Sequence, residues 1–84
     1  MPVLSRFYGI VIRMYFRHSE HNPPHIHAIY GDDVAAIDIS SGEILDGELP
    51  IRILNMVCEW IEINKDELLE MWETQEFKKL SPLK

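Results

Sequence analysis

The sequence has a single cysteine, Cys58, so no disulfide can form within the chain. It also lacks any long hydrophobic run. The longest apolar stretch, Phe7 to Ile12, is interrupted by Gly9 and falls far short of the roughly 20 residues needed to cross a bilayer. Positive charge is scarce: eight Lys and Arg face fourteen Asp and Glu, and the formal net charge of −6 excludes a protein whose whole surface grips phosphate backbones. Four glycines and five prolines are too few for collagen-like or low-complexity sequence. A signal peptide is not visible, because Arg6, Arg13 and Arg17 interrupt the N-terminus before an apolar segment can build up, so the protein is expected in the cytoplasm.

What is present is enough for one small core. With 84 residues, 46% of them apolar, the chain is expected to form a single domain, β-rich over 1–48, helical over 49–78 and ending in a tail over 79–84. Charge divides unevenly between these parts. The first 42 residues hold three arginines, four acids and all four histidines, whereas the rest hold ten acids and five basic residues.

Period-two alternation marks the strands. From Phe7 to Arg17, Tyr8, Ile10, Ile12, Met14 and Phe16 fall on one face, and Phe7, Val11, Arg13, Tyr15 and Arg17 on the other. Gly9 marks a bulge or an early turn that splits this segment into a hairpin. The prolines at 23 and 24 end any ladder, since they have no amide hydrogen to donate. Beyond them, His25–Tyr30 and Val34–Ser40 read as strands around Gly31-Asp32. A two-residue loop there places Tyr30 opposite Asp33, Ala28 opposite Ala35, Ile26 opposite Ile37 and His25 opposite Asp38. A further turn at Ser40 to Gly42 leads into a short strand from Glu43 to about Gly47.

The C-terminal part reads as two helices. Pro50 suits a first helical position, and Leu54, Val57, Cys58 and Ile61 recur at helical spacing beside Ile53 and Trp60. Asn64, with Glu67 three residues on and Ile63 and Leu68 flanking, has the form of a capping box with a hydrophobic staple. It predicts a break there and a second helix from Lys65 to about Glu76 that buries Leu69 and Trp72, with Leu68 at its margin. Cys58 is expected as a buried small hydrophobe, and Glu59, Glu62, Glu70 and Glu73 as a solvated face. The expectation is an α+β fold: a three- to four-stranded antiparallel sheet with two C-terminal helices packed on one face.

The opposite sheet face is then open, and chemistry gathers on it. His18, His21, His25 and His27 lie within ten residues. In a strand, His25 and His27 project from one face, and with His21 or Asp38 they could ligate a metal such as zinc. Without a metal, His25 and His27 as acid and base, Arg13 and Arg17 as phosphate-binding cations, and Tyr15 assisting are the parts of a site that cleaves RNA through its 2′-hydroxyl. The third reading is a partner surface built from Arg13, Tyr15, Arg17, His21, Asn22, His25, His27 and Asp38, in which His25 pairs with Asp38 across strands.

Several segments are similar to one family. The opening Met-Pro-Val-Leu-Ser-Arg-Phe-Tyr-Gly-Ile, the Met-Tyr-Phe-Arg at 14–17, His21-Asn22-Pro23-Pro24-His25-Ile26-His27-Ala28, the run from Ser41 to Pro50, Glu59-Trp60, Glu67 to Leu69, Trp72 and the closing Lys-Lys-Leu-Ser-Pro-Leu resemble the bacterial domain-of-unknown-function family 4160. The resemblance implies a pairing more than a reaction: members are often encoded beside another short protein, in arrangements that look like toxin-antitoxin pairs. The expected function is therefore that of a partner-binding component of such a regulatory pair, with a small cognate protein encoded nearby as the partner. An RNA-cleaving toxin and a histidine-ligated metalloprotein are the alternatives. Exposed sheet edges would also permit a homodimer.

Overall fold

The computed structural model describes residues 3–15 and 23–84. It contains strands β1 (Val3–Phe7), β2 (Ile10–Arg13), β3 (His25–Tyr30), β4 (Asp33–Asp38) and β5 (Ile44–Gly47), followed by one helix, α1 (Ile51–Thr74). The strands form a single antiparallel sheet in chain order, β1-β2-β3-β4-β5. This corrects the expected architecture twice, to five strands and to one helix.

The additional strand comes from the N-terminus. Tyr8 and Gly9 both adopt positive φ, 49° and 80°, as a two-residue type I′ hairpin turn requires, and Phe7 pairs with Ile10 across it. Because the chain reverses there, alternation restarts: Phe7 is buried with Ile10, Ile12 and Met14, whereas Tyr8 is exposed at the hairpin tip. The assignment of Tyr8 to the core face and Phe7 to the outer face is thereby reversed. In the next hairpin the counted register is the observed one, from Tyr30↔Asp33 through Ala28↔Ala35 and Ile26↔Ile37 to His25↔Asp38.

The helix is continuous because its apolar stripe never loses phase. Ile53, Val57, Trp60, Ile61, Leu68, Met71 and Trp72 are all buried, and the step of seven positions from Ile61 to Leu68 is about two turns, which carries the stripe past Asn64. Asn64 does not cap a new helix; its Nδ2 donates back to the Trp60 carbonyl at 2.9 Å, four residues earlier. A break would rotate Leu68 out of the core, and it is fully buried, with Leu69 at the margin instead. Side chains as deeply buried as Trp60, Ile61 and Leu68 each contribute about 1.5–3 kcal/mol, more than the roughly 1 kcal/mol of one N-cap. Cys58 is half-buried, with its Sγ donating to the Gly42 carbonyl at 3.4 Å, and burial raises its thiol pKa.

After a left-handed Gln75, residues 76–84 run back across the molecule. The Leu80 amide donates to the Leu4 carbonyl at 2.7 Å and the Trp60 indole Nε1 donates to the Ser81 carbonyl at 2.8 Å. Phe77, Leu80 and Leu83 pack on the core. This segment lies along the β1 edge, where a free strand would otherwise recruit another chain. Helix and C-terminal segment thus cover one sheet face, and the other carries no layer among the described residues. Among the described residues, no helix is long and apolar enough to cross a membrane.

Candidate functional site

The Pro-Pro pair before β3 determines how the site begins. Neither proline donates, but both carbonyls accept: Pro24 receives the Ile39 amide at 3.0 Å, extending the β3–β4 ladder, and Pro23 receives His25 Nδ1 at 2.8 Å. A carbonyl can only accept, so a hydrogen sits on Nδ1 and Nε2 points away from that bond. His27, two residues on, stands on the open face opposite Arg13 of β2 and Ala36 of β4.

The rings form a chain. Tyr15 meets His27 edge-on with centroids 4.5 Å apart, His27 and His25 are 5.2 Å apart, and His25 reaches Trp72 at 5.0 Å. The series runs from the open face, over the sheet end, to the helix layer, so His25 is a junction between the two faces. A half-open pocket of about 360 Å³ lies beside it, lined by Pro23, His25, His27, Ala36, Leu45 and Asp46.

Asp46 was not among the sequence candidates. Counting onwards from the Ser40–Gly42 turn would set Leu45 opposite Ala36, but a bulge between Ala36 and Ile37 shifts the pairing, so that Ile37 faces Ile44 and Ala36 faces Asp46. The signal for this shift is Gly47, whose φ of 81° no ordinary strand residue adopts. Asp38, by contrast, is in the counted register opposite His25, but its Oδ1 accepts the amides of Ser40 at 2.7 Å and Ser41 at 3.1 Å. Its carboxylate serves the turn.

Electrostatics follow from this placement. Burial lowers the pKa of His27, the neighbouring His25 lowers it further, and Asp46 partly offsets both. His27 is therefore neutral at pH 7, and its buried Nδ1 has no hydrogen-bond partner among the described residues. Of the sequence candidates, the structure brings together Arg13, Tyr15, His25 and His27. Arg17, His18, His21 and Asn22 lie outside the described residues. Among the described residues, no three His, Cys, Asp or Glu side chains are grouped to hold a metal ion, so Asp38 does not complete a site with His25 and His27, and the other expected third ligand, His21, lies outside the described residues.

Comparison with known proteins gives a match to one family, a domain of unknown function (DUF4160), over residues 9–73, from the first hairpin turn almost to the end of α1. No curated protein and no solved structure matches the chain.

Proposed function

The chain belongs to the domain-of-unknown-function family DUF4160, and on that footing we propose that it is a small partner-binding protein whose working surface is the open sheet face, one half of a regulatory, toxin-antitoxin-like pair. The observation that carries this reading is a five-stranded sheet that, among the described residues, is covered on one side only, and whose other side mixes apolar side chains with a polar end. Val34 and Leu45 are exposed and Val11 and Ile29 half-exposed on that side, next to Arg13, Tyr15, His27 and Asp46. Exposed apolar surface rimmed by polar groups is the usual composition of a protein interface.

Binding is favoured over acid–base chemistry by the state of His27. A general base is normally oriented by a hydrogen bond at its second ring nitrogen, and His27 Nδ1 has none among the described residues. Burial also disfavours the protonated ring that an acid would need. The resemblance described above supplies the kind of partner: a short protein encoded alongside. Co-expression with the product of the adjacent gene should yield a complex that survives gel filtration. Val34→Glu, placed on an exposed position where it costs the fold little, should abolish that complex, and wild-type binding by this variant would overturn the reading.

A further inference from the structure

The open face carries charge in a particular order. Reading across the strands, one row runs Arg6, Val11, Ile29, Val34, and the next runs Val3, Arg13, His27, Ala36, Asp46. Glu48, whose amide donates to the Val34 carbonyl at 3.3 Å, closes the first row at the β5 side. Arginines thus stand on β1 and β2 and carboxylates on and just after β5, and between them these two rows are apolar apart from neutral His27, with His25 and Asp38 in the row beyond. Among the described residues, β1 and β2 bear no acid and β5 no base.

Such a face is complementary to itself. A two-fold axis along the central strand β3 exchanges β1 with β5 and β2 with β4, bringing Arg6 opposite Glu48 of the other copy and Arg13 within one strand of its Asp46, in both halves at once. The apolar middle, Val11, Ile29 and Val34, then meets its own image. A two-fold axis across the strands would instead lay β1 over β1 and β2 over β2, setting arginine near arginine, a like-charge arrangement that costs affinity. We infer that in the isolated protein the open sheet face closes on a second copy of this chain, stacked about a two-fold axis parallel to β3. This inference rests on the reading of the face as a protein interface and names its first occupant, which a cognate partner would have to displace.

The face is small. Strands about 4.8 Å apart with about 3.3 Å per residue give roughly 400 Å² per copy, half the area of a standard interface, so the dimer is weak and concentration-dependent. Sedimentation velocity on the full chain from about 5 μM to about 1 mM tests it. Wild type should shift from monomer to dimer across that range. Arg6→Glu and Glu48→Arg, both at exposed positions, should each weaken the dimer about tenfold, because symmetry makes every swap count twice. Mixing the two variants should restore it, since each then meets the opposite charge. A protein that stays monomeric at about 1 mM, or a dimer that ignores the swaps, overturns the inference. Either result leaves the interface reading to be judged separately by Val34→Glu and the cognate complex.

Discussion

Replacing Gly47 by alanine should destabilise the protein far more than the same change at Gly31, although both glycines have positive φ, 81° and 59°. At Gly31 an added methyl group meets nothing within 4 Å, so only the backbone conformation is penalised, by about 1 kcal/mol. At Gly47 the same methyl group would collide with the Val34 carbonyl oxygen and stand 3.0 Å from the Ala35 Cα. Both obstacles are backbone, so β4 and β5 must separate, and the Glu48 amide loses the Val34 carbonyl it bonds at 3.3 Å. Conformational strain of about 1–2 kcal/mol and overpacking of about 1–3 kcal/mol give a total of about 2–5 kcal/mol. That is a large share of the about 4–13 kcal/mol expected for a domain of this length. Thermal unfolding followed by circular dichroism reads it directly: Gly31→Ala should lower Tm by about 4–8 °C and Gly47→Ala by about 10 °C or more. If Gly47→Ala melts within about 3 °C of Gly31→Ala, the close approach of β5 to β4 is not what requires glycine. The placement of Asp46 on the open face by the Leu45 bulge then loses its support as well.

Two further outcomes test the helix and the histidines. Because Asn64 lies inside a continuous helix, Asn64→Ala should leave the urea midpoint unchanged or raise stability by up to about 0.7 kcal/mol, whereas loss of a true N-cap would cost about 1 kcal/mol. The lowered pKa of His27 means that the unfolded chain binds its proton more readily than the folded one. The stability this provides is complete above the unfolded value of about 6.5 and is lost as pH falls from there through the lower folded value. Urea unfolding between about pH 7.5 and pH 5 should therefore show stability declining on acidification, and His27→Gln should flatten that slope. An unaltered slope, or an NMR titration of the His27 ring at or above 6.5, would sink the argument.

The His25–His27 pair was readable because a period of two and a Gly-Asp loop leave one register for β3 and β4, and the fold keeps that register. The same logic missed Asp46, since a bulge inserts a residue without changing the pattern of polar and apolar letters. It placed Asp38 opposite His25, where the fold has it, without foreseeing that Oδ1 would accept the backbone amides of its own turn. The ring contact between His25 and Trp72 joins residues 47 positions apart, which no local pattern encodes.

By itself the sequence determined what alternation and turn chemistry determine: which residues of β2, β3 and β4 face the core, how β3 and β4 align, and that Trp60 and Trp72 are buried. Tertiary structure alone decided that the helix passes through Asn64, that Gly9 makes a turn rather than a bulge so that Val3–Phe7 adds a fifth strand, and that 76–84 return along β1. The physical reason is one of scale. A cap or a turn is worth about 1 kcal/mol and is written in a few adjacent residues. Burial of a continuous stripe against a sheet is worth several times that, and it depends on partners far apart in the chain.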